Sequence, residues 1–354
     1  MSNYILAMGA NHVDHDRLVQ LVGLVGKQRI QGEAAYKELE RAREIYGAQI
    51  KFRYPYKWIS EEKVDGYSYI ANNGEMMSRK LSTKKGNEGN PIFKTGHVPH
   101  LVNPLKFLAD YIDADFHGEL YKPGGISDDV TSIMGCKEDK AIFRQKEESA
   151  KLHYMIHDIR RYNGVVLINE PWYVRRAILE MIFYRWIDNT ILDQYLHLSE
   201  VLLDPITSFN RIVSSGGEGI MIKDVDGLYL PDKKPANNWI KCKKEVTLDV
   251  VIMGYNNDGS GKNAGLFKSI QVGIYDDNCK LKHVGDVHSG ISDDLRRRMH
   301  ENRDEYIDKV IEVDAMDFDG KRYSMRHGRL VKFRHDKLPI NCTADGLRFK
   351  TDIL

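Results

Sequence analysis

Residues 51 to 81 constrain the fold of this chain more than any other segment. Tyr67 and Tyr69 alternate with smaller residues, and Asn73-Gly74 is a dipeptide typical of a two-residue hairpin turn. Residues 76 to 81 have the composition of the returning strand. This segment therefore predicts that an antiparallel sheet begins here.

The segments that follow switch between strand and helix patterns without the strict βαβ order of a parallel sheet. Strand patterns occur at 115–121, 152–159, 219–224 and 239–243, and helical patterns at 101–112, 139–150, 172–189 and 205–213. We therefore predict the α+β class for this part of the chain.

The two ends of the chain differ from this central part. Apolar residues recur at helical spacing between residues 16 and 46, interrupted by three glycines. After Lys244, several short strand patterns and one helix pattern, at 293–310, suit a small closed barrel of the oligonucleotide-binding type, the OB-fold. We predict an N-terminal helical segment at 1–50, a central domain at 51–245 and an OB-fold domain at 246–354.

Composition indicates an ordinary folded protein. The 354 residues carry a formal net charge of +1, so any affinity for nucleic acid must come from local patches. The four cysteines are scattered, with no CxxC pair, which favours reduced thiols and a cytoplasmic location. No basic leader is visible at the N-terminus, and no run reaches the ~18 apolar residues of a membrane span.

Two lysine-containing motifs carry the strongest chemical signal. Lys63 begins the string Lys-Val-Asp-Gly, which by itself is a weak signal and is better explained by a surface lysine beside an Asp-Gly turn. Lys241 and Lys243 share one face of a predicted strand, about 7 Å apart. Two ammonium groups so placed either hold an anion between them or protect a solvated edge strand from aggregation. These residues alone leave both interpretations open.

Six elements in order resemble the covalent nucleotidyltransferases, and most closely the small ATP-dependent DNA ligases of phages. They are Lys-x-Asp-Gly at 63–66, Ser-Arg at 78–79, Gly-Glu at 118–119, Glu-Gly-x-x-x-Lys at 218–223, Trp-x-Lys-x-Lys at 239–243 and a terminal basic motif at 326–337. The resemblance spans residues 55 to 340. It implies an antiparallel-sheet nucleotidyltransferase domain, ATP-grasp-like and adenylating, followed by an OB-fold barrel.

The resemblance makes Lys63 the nucleophile that attacks the α-phosphate of ATP and forms lysyl-AMP. Only the free amine can attack, so we expect the pKa of Lys63 to be depressed by Lys241, Lys243 or a bound metal. The same lysines would neutralise the reacting phosphate. Glu119 and Glu218 match ribose and metal-site carboxylates, which implies Mg²⁺ or Mn²⁺. Further nucleotide contacts are implied for Glu61, Arg79 and Lys223.

Three positions depart from the family pattern. Ser68 stands where an arginine is usual, and His117 stands where an aspartate often precedes Gly-Glu. The aromatic residue that stacks on the purine aligns with His157. Imidazole can stack on a base, so we predict this role for His157, with a structural histidine as the alternative.

The basic stretch at 321–337 holds seven lysines and arginines against one acid. Taken alone, such a run is typical of a solvated face. By the resemblance, Arg326, Arg334 and Lys337 orient the pyrophosphate leaving group and then swing away so that DNA can enter. This motion requires a flexible connection near 244–247.

The sequence thus predicts a monomeric ATP-dependent DNA ligase that seals 5′-phosphate/3′-hydroxyl nicks in duplex DNA through lysyl-AMP and an adenylylated DNA end. An RNA ligase or an mRNA-capping guanylyltransferase would share the nucleophilic lysine, although the barrel with its late Arg-x-Asp-Lys argues against most RNA ligases. A catalytically silent DNA-binding module is the alternative from another class, with Ser68 and His157 as signs of lost activity.

Overall fold

The computed structural model describes residues 7–13, 41, 43–47, 57–188, 190–234, 238–257, 259–319 and 322–349. The chain divides into two compact units, Met1–Cys242 and Lys243–Leu354. Within the predicted helical segment 1–50, residues 41 and 43–46 are helical but Asn11–Val13 is a strand. The rest of that segment lies outside the described residues.

The first ten strands and five helices are named in chain order. The strands are β1 (Asn11–Val13), β2 (Trp58–Glu62), β3 (Gly66–Asn72), β4 (Glu75–Ser78), β5 (Ala114–Tyr121), β6 (His153–Tyr162), β7 (Val165–Val166), β8 (Leu196–Leu198), β9 (Gly219–Asp224) and β10 (Trp239–Lys243). The helices are α1 (Pro99–Ala109), α2 (Ser127–Met134), α3 (Glu138–Arg144), α4 (Trp172–Ile182) and α5 (Pro205–Ser214). A π-helical turn at Phe183–Ile187 extends α4.

The predicted hairpin is confirmed. Strands β3 and β4 pair antiparallel with Asn72 opposite Glu75. The turn residues Asn73 and Gly74 have φ angles of 44° and 81°, the left-handed values that a type I′ turn requires. The hairpin continues into a six-stranded sheet of order β4-β3-β5-β6-β7, in which β8 also pairs with β6.

A second sheet of the first unit has the order β1-β10-β9-β2. Helix α5 covers one face of it, since Phe209, Ile212 and Val213 share a core with Ile222 and Cys242. The Asp204 side chain caps this helix by accepting hydrogen bonds from the first-turn amides of residues 206 and 207. Burial of this face against α5 leaves the alternate residues of β9 and β10 for the opposite face.

The second unit is rich in strands. They are β11 (Val246–Asn256), β12 (Ser269–Tyr275), β13 (Leu281–Ser289), β14 (Val310–Ala315), β15 (Asp317–Asp319), β16 (Ser324–Arg326), β17 (Gly328–Phe333) and β18 (Arg348–Phe349). Its helices are α6 (Asp293–Glu301) and α7 (Arg303–Tyr306). The pairings run β11-β12-β13-β17-β14 and return to β11, because the long β11 pairs with β14 along its first half and with β12 along its second.

Several predicted boundaries are wrong. The helix pattern at 139–150 forms the α-helix Glu138–Arg144 and a separate 3₁₀ turn at Glu148–Ala150, and the pattern at 293–310 forms two short helices that end before β14 begins at Val310. Helix α2 was not predicted, because its first turn, which contains Asp128 and Asp129, is polar. No helix in the described part of the chain is both long and apolar enough to cross a membrane.

Candidate active site

Lys63 lies directly after β2 and is held by contacts from far along the chain. Its amide donates to the Gly219 carbonyl oxygen at 2.9 Å, which joins the end of β2 to the start of β9. Its Nζ donates to Glu218 Oε2 at 2.5 Å. The two side chains are only 17% and 7% exposed, so this ion pair is shielded from water.

The charge environment of Lys63 differs from the expectation. Burial lowers the pKa of the Lys63 amine, but the carboxylates of Glu218 and Glu119 outweigh burial and raise the pKa above its ordinary value. The expectation of a depressed pKa is therefore wrong for the described side chains. Lysine-rich sequence motifs suggested cationic neighbours, whereas the groups that act on Lys63 are acids.

Glu119 projects from β5 beside Lys63. It pairs with Ser68 of β3 and with Met155 of β6. The preceding residue has to be glycine, because a Cβ at Gly118 would lie 2.5 Å from the Met155 carbonyl oxygen. Burial raises the pKa of Glu119 to about 7, while Lys63 opposes this shift and Glu218 adds to it. Glu119 is thus close to half-protonated near neutral pH.

The raised pKa of Glu119 implies that the free energy of unfolding depends on pH. The folded protein retains a proton that the unfolded chain releases between pH 4.5 and about 7, so the free energy of unfolding should fall as the pH rises through this range. We expect Glu119→Gln to flatten this dependence and to stabilise the protein above pH 7 by as much as about 3 kcal/mol. Thermal unfolding from pH 5 to 8, with chelator present, measures the difference. An unchanged slope in the variant would contradict the assignment.

Glu61 and Lys223 form a buried ion pair across β2 and β9. Lys223 Nζ lies 2.7 Å from Glu61 Oε2, and both side chains are at most 2% exposed. Lys223 also donates to the His157 carbonyl oxygen at 2.8 Å. Burial lowers the pKa of Lys223, although the negative charge of Glu61 acts in the opposite direction. The second oxygen of Glu61, Oε1, is buried without a hydrogen-bond partner among the described residues, although Arg176 lies 3.8 Å away.

Lys241 and Lys243 lie on β10, whereas Arg79 lies directly after β4. Lys241 and Lys243 alternate with Cys242, which is buried under α5, so both lysines belong to the opposite face of β10 and both are partly buried. Arg79 follows β4, and its amide donates to the Ser68 carbonyl oxygen. Its positive charge acts on Glu119 and opposes the rise of that pKa.

Aromatic rings gather around His157. The rings of His117 and Trp239 lie 4.6 and 5.3 Å from it, both edge-on, and His117 stacks on Trp239 at 5.5 Å. Burial lowers the pKa of His157 well below its ordinary value, with Lys223 and Lys63 adding to this shift. Its Nδ1 is buried without a hydrogen-bond partner among the described residues. The three rings thus form a packed cluster that leaves one buried polar atom unsatisfied.

In the second unit, the predicted phosphate-binding cations are bound to acids. Asp249 of β11, with a side chain 1% exposed, accepts from Arg334 at 2.9 Å and from Lys337 at 2.8 Å. Arg348 binds the same carboxylate at 3.0 Å and contacts Glu312 as well. Arg326 lies on β16, whose register places it opposite Asp317. No sequence motif pointed to Asp249 or Arg348, because the contacts of Asp249 with Arg334 and Arg348 join residues 85 and 99 positions apart.

The carboxylates near Lys63 are too few to bind a hard cation by themselves, so water and substrate oxygens have to supply the other ligands. Among the described residues, no group of three or more His, Cys, Asp or Glu side chains is arranged to hold a metal ion. Glu119 and Glu218 are two carboxylates near the same lysine. Mg²⁺ characteristically binds through one or two carboxylates while keeping waters and taking substrate phosphates as the other ligands. These two residues suit that mode of binding.

Together, the largely antiparallel sheets and the buried cluster of Lys63 with its carboxylates form a mixed α+β domain of the nucleotidyltransferase type. Residues 48–243 match the family model for the ATP-dependent DNA ligase domain, which is more than half of the chain. The chain belongs to the ATP-dependent DNA ligase family.

Curated relatives agree with this assignment. A DNA ligase of Methanocorpusculum labreanum is 28% identical over 262 residues, which is 69% of this chain and 46% of that protein. DNA ligase 2 of Methanosarcina acetivorans is 30% identical over 73% of this chain and 44% of its own length. The chain thus spans less than half the length of these relatives. A solved Lig E DNA ligase, 17% identical, has a similar fold, with a TM-score of 0.56 over 78% of this chain and 93% of that one.

Proposed function

We propose that this chain is an ATP-dependent DNA ligase that seals 5′-phosphate/3′-hydroxyl nicks in duplex DNA. The observation that carries the proposal is the shielded Lys63–Glu218 pair, with Glu119 beside it, inside the segment that matches the ligase family. A lysine enclosed by acids can form a covalent nucleotide adduct once it loses its proton.

Glu218 is the proton acceptor that the geometry offers. Its Oε2 is 2.5 Å from Lys63 Nζ, so the ammonium proton can pass along an existing hydrogen bond. The free amine then forms the N–P bond to the α-phosphate of ATP while the P–O bond to pyrophosphate breaks, and the remaining surplus N–H proton is released to solvent with the pyrophosphate. AMP is next transferred from Lys63 to the 5′-phosphate of the nick, and the 3′-hydroxyl displaces AMP to close the DNA backbone.

The other site residues receive roles that match their surroundings. Glu61 Oε1, buried and without a hydrogen-bond partner among the described residues, suits the adenine amino group, and Lys223 fixes the Glu61 carboxylate. His157, whose carbonyl oxygen accepts from Lys223, is proposed to stack its imidazole ring on the purine. Arg79, Lys241 and Lys243 are proposed to neutralise phosphate and ribose oxygens.

Glu119 and Glu218 would hold Mg²⁺ or Mn²⁺. A divalent ion bound there supplies charge neutralisation for the reacting phosphates. Both carboxylates act on Lys63, and their burial limits competition from water.

For the second unit we propose an OB-type barrel, which the ring of five mutual strand pairings supports. Arg326, Arg334 and Lys337 would act there on the pyrophosphate. The domain limits proposed are a segment at 1–50, an adenylation domain at 51–245 and the barrel at 246–354. We also propose a monomer that acts in the cytoplasm.

Labelled nucleotides test the function against its alternatives. Incubation with ATP or GTP labelled at the α-phosphate, followed by denaturing electrophoresis, should leave label on the protein only from ATP. Addition of nicked duplex DNA should then discharge the label and produce sealed strands. Label from GTP alone would favour a capping guanylyltransferase, sealing of nicked RNA but not DNA would favour an RNA ligase, and absence of any label would favour a silent DNA-binding module.

A further inference from the structure

The three positions that depart from the family pattern belong to one network. Ser68 Oγ lies 2.8 Å from His117 Nε2, and the His117 ring contacts the ring of His157. Ser68 pairs with Glu119 and Ile70 pairs with His117, so Ser68 and His117 are diagonal neighbours on one face of the sheet. The network continues to Tyr229, whose hydroxyl lies 2.9 Å from His117 Nδ1.

The direction of each hydrogen bond follows from the number of donors. The Met8 amide donates to the Tyr229 hydroxyl oxygen at 2.9 Å. Tyr229 is 1% exposed, and among the described residues His117 Nδ1 is the acceptor within reach of its hydroxyl hydrogen. A buried hydroxyl hydrogen without an acceptor is costly. Tyr229 therefore donates to Nδ1.

This direction fixes the tautomer of His117. Because Nδ1 accepts, the ring carries its hydrogen on Nε2, and Nε2 donates to Ser68 Oγ. The Ser68 hydroxyl hydrogen is then not used within the network. Among the described residues, the Ser68 side chain makes no hydrogen bond other than the one with His117.

The unused hydroxyl hydrogen of Ser68 lies at the site itself. Ser68 is partly exposed and stands in register with Glu119, whose carboxylate acts on Lys63. Gly66, two residues earlier on the same strand, lies against the Glu119 side chain. The Ser68 side chain therefore lies on the same sheet face as the Glu119 carboxylate that acts on Lys63.

We propose that Ser68 is a neutral hydrogen-bond donor to an oxygen of the bound nucleotide, on the ribose or on a phosphate, and that His117 and Tyr229 are positioning residues that aim its hydroxyl. This inference rests on the proposed function. An arginine is usual at position 68 in the family pattern. We infer that the uncharged Ser68 hydroxyl, aimed by His117 and Tyr229, contacts the nucleotide in its place.

The kinetics of self-adenylylation test the donor. We expect Ser68→Ala to raise the KM for ATP about three- to tenfold, the effect of one neutral hydrogen bond, with little change in kcat. Ser215→Ala is the control, because Ser215 is an exposed serine directly after α5 whose hydroxyl donates to the Ile212 carbonyl oxygen. Repeating the series with 2′-deoxy- and 3′-deoxy-ATP separates the acceptors. Loss of the variant's effect with one analogue identifies that ribose hydroxyl, and an effect that persists with both identifies a phosphate oxygen.

Tyr229→Phe tests the relay. Without the phenolic hydroxyl, the Nε2–H tautomer of His117 is no longer enforced. We expect the KM for ATP to rise in the wild-type background and not to rise further in Ser68→Ala. Nitrogen-15 spectra of His117 should show the Nε2–H form in the unaltered protein and a mixture in Tyr229→Phe.

Two outcomes would overturn the inference. A KM for ATP that stays within twofold in Ser68→Ala would show that Ser68 does not donate to the nucleotide. An Nδ1–H signal for His117 in the unaltered protein would show that Tyr229 does not donate to this ring. Failure of the unaltered protein to take up label from ATP would instead count against the proposed function, so the two failures are distinguishable.

Discussion

Replacement of Lys63 by alanine is expected to abolish covalent labelling from ATP, a fall of at least about 10⁴-fold. The reason is that Nζ itself forms the bond to phosphorus, and no other group can take over the role of a lost nucleophile. Labelling with α-labelled ATP and denaturing electrophoresis measure the loss. Lys122→Ala is a suitable control, since Lys122 is also paired with a carboxylate, Asp129, but outside the site.

Lys63→Arg separates charge from nucleophilicity. Arginine keeps a cation beside Glu218, yet its guanidinium does not deprotonate in proteins. We expect this variant to fold and to remain unlabelled. Substantial label on either Lys63 variant would show that the nucleophile lies elsewhere.

The pH profile of labelling reports on the carboxylates around Lys63. Because Glu218 raises the pKa of Lys63, labelling should become faster as the pH rises toward that pKa. Glu218→Gln removes the carboxylate that raises this pKa most, so the midpoint of the profile should move to lower pH even if the maximal rate falls. A midpoint that moves upward would contradict this account of the ion pair.

The largest effect on stability is expected from Asp158, the residue after His157. Its carboxylate receives two hydrogen bonds from Arg175, at 2.7 and 2.9 Å, and the two side chains are 1% and 0% exposed. Asp158→Ala would leave the guanidinium buried with only the carbonyl oxygens of Glu170 and Gly227. We expect the free energy of unfolding to fall by about 3–5 kcal/mol, measured by chemical denaturation.

An exposed ion pair provides the control for this measurement. Asp294 and Arg297 lie 2.8 Å apart with side chains 78% and 60% exposed, so Asp294→Ala should change stability by less than about 1 kcal/mol. The double variant Asp158→Leu with Arg175→Met removes both charges and should recover part of the loss. A loss below about 1 kcal/mol in Asp158→Ala would contradict the description of this pair as buried and mutually dependent.

The amino-acid sequence by itself determined the features that depend on short stretches of chain. The Asn73-Gly74 turn follows from two residues that tolerate positive φ, and strand β9 was predicted with the bounds it has in the structure, Gly219–Asp224. The ordered motifs also identified which residues to look for around Lys63. By contrast, helix ends were misplaced and α2 was not predicted, because the pattern of apolar residues was weak there.

Only the tertiary structure decided the chemical state of those residues. Lys63 meets Glu218 across 155 positions, and Ser68 meets His117 across 49, so neither the raised pKa of the lysine nor the aim of the serine hydroxyl is encoded in any one motif. Asp249 likewise binds Arg334 and Lys337 only after folding has brought β11 next to them. Protonation and hydrogen-bond direction depend on burial and on the groups a few ångströms away, and chain folding brings those groups together from distant parts of the sequence.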